Sequence, residues 1–558
     1  MLKQVPVRPS QARCLHDLYK TDYSKKKFYS KLLAKAKTAE LQRNWKLSKH
    51  FLLKAHKLSK NMDLVHSLSK CFTRLEEYEE AAKFFNDNLQ YFLKEGSYWG
   101  SLATHTYTID DFEASAGASL KAIQIHNLHL PELWKIFVYS AKKIERSDLL
   151  YEVCKQYLNK RNNIPYVIEG FLTGCCLEAH VHEGLKIIET ENIKPDNIDR
   201  YGEVSAVIAA LVAAIYNRQL DKTELSHKKE LIWNKKASEL APSNLDFKWN
   251  LSLSQLRNGL VLEGLKNYDV RFLRDTFPSP IRKFRVPIWT EQVEKNSKIL
   301  LWYEQGIGDE LRFMSAVAFF KALFPNLIIE PSNKLIGVIQ DAFPDLEVRK
   351  SSYNKELITE KEDFDYHLPI GNVFSFFIRM NQNKLEKKNS YLTDGYLKPD
   401  KLRAYYWKSK LDSLSNKPKI GFCWRSGMVD SYRAREYSVL DNWRQLFELD
   451  DFSFVNLQYD VSQDEFEASN PILSKHFLNT GFLDQKDDLE GAVSLISNLD
   501  FVISPGSSPS MISSCLGIPT LVYSSPDIHW FGRNQEFAQH PIFKKTTIYS
   551  GLSWYICL

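Results

Sequence analysis

The sequence predicts an α plus α/β protein in which a helical solenoid precedes two lobes, each a mainly parallel sheet flanked by helices. Three observations carry this expectation. A short phrase, an aromatic or apolar residue after a polar turn followed by small residues at helical spacing, recurs about every 35 residues, at Trp45, Tyr78, Phe112, Leu149 and Val181. After a proline-marked connector, FPSPIRKFRVPIW (Phe277–Trp289), helix after helix gives way to strand alternating with helix. Within that second pattern, Lys298–Leu323 (KILLWYEQGIGDELRFMSAVAFFKAL) reads as a β-prone apolar run, a glycine-spaced turn holding an acid, and a helix.

The totals agree with a multi-domain globular chain. At 558 residues it is too long for one core, and 44% hydrophobic with 25% charged residues are ordinary globular values. The net charge of +6 is small and its Lys and Arg residues are interleaved with acids, which argues against nucleic acid as a partner. The eight cysteines include no CxxC pair and sit mostly in apolar runs, as buried reduced thiols do. The opening MLKQVPVRPSQARCLHDLYK lacks the apolar core of a signal peptide, and the apolar run Ala206–Tyr216 is shorter than the roughly 20 residues that span a bilayer. A cytoplasmic protein without a transmembrane segment is expected.

Residues 1–278 are expected to form the repeat domain. The spacing of its phrases resembles that of tetratricopeptide repeats, with Ala81, Ala82, Ala116 and Gly184 allowing two helices of a hairpin to approach. The register loosens between about Lys194 and Ala241, then recovers with Pro242 starting a helix, Gly259 in the turn and a closing helix through Tyr268. Stacked helix pairs make a concave groove suited to an extended peptide or a partner protein. His126 and His129 lack a second ligand pair, so no metal is expected there.

Residues 279–400 should form the first lobe, with strands KILLWYE, LIIE (Leu327–Glu330) and LEV, the helix NKLIGVIQDAF, and the segment DYHLPIGN (Asp365–Asn372). Ligands of open parallel sheets gather at strand carboxyl ends, which singles out Glu304, Gln305 and Asp309. Residues 401–558 should form the second lobe. Its strand KIGFCW (Lys419–Trp424) leads into a basic loop with Arg425, Arg433 and Arg435, and FSFVNLQ, DFVIS and IPTLVYS are further strands. Between the last two lies PGSSPS, where Ser507 or Ser508 caps a helix, Pro509 fits its first turn and Gly517 its exit. Such a helix start is an anion seat, with a nucleotide phosphate as its natural occupant.

The motifs EQGIGDELRF, GFCWRSG, FVNLQYD, DDLEGAVSLISNLDFVIS and SSCLGIPT, in this order, resemble bacterial glycosyltransferases fused to tetratricopeptide repeats. The likeness is nearest to flagellin glycosyltransferases, with heptosyltransferases and the O-linked N-acetylglucosamine transferase as more distant relatives. It implies two Rossmann-like lobes of GT-B architecture, a nucleotide sugar as substrate with no other cofactor, and a protein acceptor such as flagellin held by the repeats. It also implies Asp309 as the base, unless it is a plain helix-start acid favouring the dipole, and Arg425, Gln458, Gly506, Ser507 and Ser508 as nucleotide-sugar contacts together with Asp488, which either accepts from a ribose hydroxyl or caps the following helix, with Glu304, Gln305, Arg433 and Arg435 in reserve. No DxD pair ends a strand beside the cleft, so metal-independent transfer is expected. One departure stands out: relatives carry Asp-Thr and His in the phosphate loop, where this chain has Gly506, Ser507 and Met511. That leaves two readings, a single-phosphate donor such as a CMP-linked nonulosonic acid, or a non-catalytic scaffold with degenerate lobes.

Overall fold

The computed structural model describes residues 9–126, 130–158, 165–177, 180–219, 224–279, 281–351, 362–385, 392–427, 437–523 and 537–549. The chain divides into two compact units, Met1–Leu211 and Val212–Leu558.

The first unit is built of helix pairs. Pro9–Leu41 is followed by Trp45–Leu58, Met62–Leu75 by Tyr78–Phe92, Gly96–Thr108 by Phe112–His126, Pro131–Lys143 by Ser147–Leu158, and Pro165–Cys175 by Val181–Thr190. Each phrase singled out in the sequence opens the second helix of a pair: Trp45, Tyr78, Phe112 and Val181 are first residues, and Leu149 lies in a first turn. The first four turns within pairs share a left-handed residue, at Arg43, Glu76, Asp110 and Glu145, with φ between 55° and 59°. None of them is glycine.

Ala81, Ala116 and Gly184 are buried in the packing faces as expected, but Ala82 is exposed, because it falls one step round the helix from Ala81. The tightest approach involves other small residues. A methyl on Gly174 would lie 2.6 Å from Tyr151 Cα, and one on Gly170 2.6 Å from Cys154 Sγ, so these glycines let Pro165–Cys175 lie on Ser147–Leu158.

The second unit begins with helices and continues into two sheets. Helices Leu245–Arg257 and Val261–Tyr268 form a pair with Gly259 in the turn at φ 77°, as expected, but the first starts at Leu245 under an Asn244 cap and not at Pro242, which lies in the turn before it; the turn Asp269–Leu273 follows. The first sheet has strands β1 (Ile299–Trp302), β2 (Leu327–Glu330), β3 (Glu347–Val348) and β4 (Tyr366–Pro369), all parallel in the order β3-β2-β1-β4. The second has β5 (Lys419–Phe422), β6 (Ser453–Asn456), β7 (Phe501–Pro505), β8 (Thr520–Tyr523), β9 (Phe537–Gln539) and β10 (Thr546–Tyr549). Their order is β6-β5-β7-β8-β10-β9, parallel except for β9 against β10. β1 and β2 are buried along their whole length, as expected of apolar strands covered on both faces.

One continuous apolar core joins Leu265 and Tyr268 of the last helix pair, Leu311 and Val317 of the first lobe, and Val493 and Cys515 of the second. Cys71, Cys154, Cys175, Cys423 and Cys515 are buried free thiols, and Cys176 is half-buried. No described helix is long and apolar enough to cross a membrane.

Candidate functional site

In each sheet the strand order reverses at one point, and there the loops leaving two neighbouring strands part to form a crevice. In the first lobe this point lies between β1 and β4. It is filled from within. Glu304, wholly buried, receives Arg271 Nε on Oε2 and Arg271 Nη2 on Oε1, both at 2.7 Å, and the Gly371 N–H on Oε1 at 2.9 Å. Arg271 comes from the turn after the last helix pair and also lies over the rings of Tyr268 and Phe272. A methyl at Gly371 would sit 2.3 Å from Glu304 Oε1, so only glycine leaves room for this pair. Gln305 takes a left-handed φ of 64°, its N–H donating to Ser279 Oγ at 2.7 Å and its Nε2 to Tyr268 OH at 2.9 Å. Glu304 and Gln305 thus bind the lobe to the helices before it.

Asp309 lies in the first turn of helix Ile307–Met314, half-buried and ion-paired with Arg312. Its neighbour Glu310 is wholly buried and accepts the Ser332 N–H at 2.9 Å. Burial pushes the Glu310 carboxyl up to about 7.

In the second lobe the order reverses between β5 and β7, and most of the residues expected to contact the donor are found there. Gln458, buried at the end of β6, accepts the N–H groups of Trp424 and Arg425 on Oε1 at 3.1 and 3.0 Å. Its Nε2 donates to the carbonyls of Arg425 and Tyr459, so the amide shapes the loop leaving β5. Across the crevice, Gly506 is exposed, Ser507 caps helix Ser508–Leu516 with its N–H donating to Ser510 Oγ at 3.1 Å, and Ser507 Oγ shares a hydrogen bond with Ser504 Oγ at 2.8 Å. Ser508 is that helix's first residue. Cys423, fully buried here, has its thiol pushed up to about 11 by burial.

The Arg425 guanidinium donates to Glu465 through Nε at 2.8 Å and through Nη2, and this carboxylate raises it above its ordinary value. For Glu465, burial pulls the carboxyl up, and the bonds from Arg425 and Trp424 outweigh it, leaving the acid below its usual range. Arg433 and Arg435 lie outside the described residues, as does His129. Asp488 caps helix Leu489–Ile496 through the Gly491 N–H at 2.9 Å and pairs with Arg403 at 2.7 Å. No group of His, Cys, Asp and Glu able to hold a metal occurs among the described residues.

The two lobes touch through their helices. Helix Ile307–Met314 packs on helix Ser508–Leu516, and Leu311 O receives Tyr396 OH at 2.7 Å and Cys515 Sγ at 3.7 Å. The acid-bearing helix and the serine-capped helix are therefore direct neighbours. Arg271, Glu465 and Glu310 were not singled out from sequence. The first two are recognised only by their partners, Glu304 and Arg425, which lie 33 and 40 residues away.

The arrangement defines a class, helical repeats followed by two parallel-sheet lobes that face each other. No family model matches the chain. It is similar to Protein FlbA of Caulobacter vibrioides, 25% identical over 327 residues that make up 55% of this chain and 53% of that protein. The chain thus spans about half the length of this curated relative. Among solved structures it is similar to the Escherichia coli ADP-heptose LPS heptosyltransferase II, at 17% identity and TM-score 0.31 over 47% of this chain and 94% of that one. A family 9 glycosyl transferase from Veillonella parvula gives 12% identity and TM-score 0.32 over 46% and 88%. YrrB, a TPR protein with an unusual peptide-binding site, gives 13% and 0.28 over 35% and 95%.

Proposed function

We propose that this protein is a metal-independent glycosyltransferase of GT-B type that moves a sugar from a nucleotide-activated donor to a protein hydroxyl. The observation that carries this reading is the convergence of Arg425, Gln458, Gly506, Ser507 and Ser508 on the single crevice between β5 and β7, beside the helix that bears Asp309. The capped helix start and the arginine supply dipolar and positive groups for a leaving phosphate, and Asp309 is the base that takes the acceptor proton. With the first lobe's crevice closed by Arg271, the donor belongs in the second lobe. The helical repeats hold the acceptor. Flagellin as acceptor and a CMP-linked nonulosonic acid as donor follow from the motif resemblance, and a cytoplasmic location from the buried free thiols.

The test is incubation of the protein with candidate donors and a co-expressed acceptor, read by mass spectrometry. A sugar-sized mass shift is expected, lowered at least about a hundredfold in rate by Asp309→Ala. Unchanged transfer in that variant removes Asp309 from the mechanism, and no transfer with any donor removes the activity.

One observation favours the second reading, a non-catalytic scaffold. Arg425 and Gln458 spend their donors on protein partners, namely Glu465, Ser426 O and Asp460 O for the former, and Arg425 O and Tyr459 O for the latter. In that case no nucleotide among UDP, CMP, GDP and ADP raises the melting temperature.

A further inference from the structure

Arg425 lies on the loop leaving β5, one of the two strands that flank the second lobe's crevice, and its guanidinium fork is already occupied. Nε donates to Glu465 Oε1 at 2.8 Å and Nη2 bonds Glu465 Oε2, while Nη1 donates to Ser426 O at 3.0 Å and Nη2 also to Asp460 O at 2.9 Å. The carboxylate is held in place for this. Glu465 lies in the first turn of helix Gln463–His476, its N–H donates to the cap Ser462 Oγ at 3.3 Å, and its Oε1 also accepts Trp424 Nε1 at 2.9 Å. Trp424 and Arg425 are consecutive residues leaving β5, so one acid grips both sides of that loop.

A carboxylate and a phosphate ask the same thing of an arginine, two parallel N–H donors in one plane. Both cannot have the fork at once. We propose that Glu465 is an internal counter-anion that holds the Arg425 seat in the empty protein and is displaced by the phosphate of the donor, so that it sets how strongly an anion must bind to enter. The proposal rests on the reading of this crevice as a nucleotide-sugar site. The side chains of Arg425 and Glu465 are 13% and 24% exposed, so the pair is reachable from solvent and the displaced carboxylate has water to turn to. Glu465 also explains how an arginine persists in the crevice with no ligand present: its charge is matched locally, and the loop leaving β5 is already shaped before a donor arrives.

The experiment is calorimetric titration of the whole protein and of Glu465→Gln with CMP, UDP, GDP and ADP at one ionic strength. Glutamine keeps an acceptor for Trp424 Nε1 and removes the charge, and circular dichroism melts check the fold. Binding is expected to tighten about tenfold in the variant, the affinity equivalent of one charge-assisted hydrogen bond no longer broken on entry. The gain should vanish in the Glu465→Gln, Arg425→Ala double variant. Should Glu465→Gln fail to fold, Glu465→Ser must give the same tightening. A nucleotide that binds the native protein, with no tighter binding in the variant that folds, overturns the counter-anion role and leaves the nucleotide site standing. Absence of binding to every form overturns both.

Discussion

Glu310 shows how a single residue reports its surroundings. Its carboxyl is pushed up to about 7 from an ordinary 4.5 by burial, so the folded protein holds a proton that the unfolded chain releases between those values. Stability from this group is therefore complete below about 4.5 and declines as the pH rises through about 7, by about 3 kcal/mol in all. Glu310→Gln keeps an acceptor for the Ser332 N–H and cannot ionise. Calorimetric melts over this range should show a flatter pH dependence in the variant and a higher midpoint near pH 8 than in the native protein; equal slopes would mean that Glu310 is charged when folded. Asp309, one residue earlier and half-exposed, faces a different setting, its partner Arg312 lying on the same helix. Adjacent acids thus serve as a buried structural group and an accessible one, a distinction made by which side of the helix turns inward.

At the level of elements, the turns of the helix pairs are the most regular feature of the first unit. Left-handed residues at 43, 76, 110 and 145 are 33, 34 and 35 apart, and all four positions carry side chains where glycine would be strain-free. A non-glycine residue there costs about 1 kcal/mol, so Glu76→Gly or Glu145→Gly should raise the stability of the first unit by about that amount. Denaturant unfolding followed by far-ultraviolet circular dichroism measures it, and a lower midpoint in both variants would count against the account.

These elements also show what sequence alone discloses. The repeat was legible because each second helix opens on an aromatic or apolar residue after a polar turn, and strands such as Leu327–Glu330 because apolar runs covered on both faces have no polar alternation to confuse. Helix Gln463–His476 was not legible, being mostly polar and carrying Pro471 in its interior. With it went Glu465, and so the partner of Arg425. β9 and β10 escaped as well, since FAQ and TTIY are too short to show a period. For the candidate site, the loops after β5 and β7 lie where the strand order puts them, and Asp488 takes the helix-capping place that its position before Leu489 offers, with an ion pair to Arg403 beside it.

At the scale of the whole molecule, the pair Arg271–Glu304 decides where the chain can be divided. Both side chains are wholly buried, and an unpartnered buried charge costs about 3–5 kcal/mol. A fragment of residues 279–558 strands Glu304, while one of residues 224–558 keeps its partner. The longer fragment should be the soluble, cooperatively melting one, and a shorter fragment that melts at the same temperature would show the pair to be dispensable.

The segment joining the lobes has an anchorage of its own. Leu392 and Thr393 donate their N–H groups to Ile542 O, and Tyr396 and Leu397 donate theirs to Cys515 O at 2.7 and 2.9 Å. Gly395 and Gly517 lie back to back, where a methyl on Gly395 would come 2.7 Å from the Gly517 nitrogen. The joining strap is thus sewn to the second lobe, and the Tyr396 side chain reaches across to the first, its hydroxyl donating to Leu311 O and its ring stacked on Phe343. In mechanical terms the strap is riveted to the second lobe, and Tyr396 is a pin driven from it into the first, set between Leu311 and Phe343.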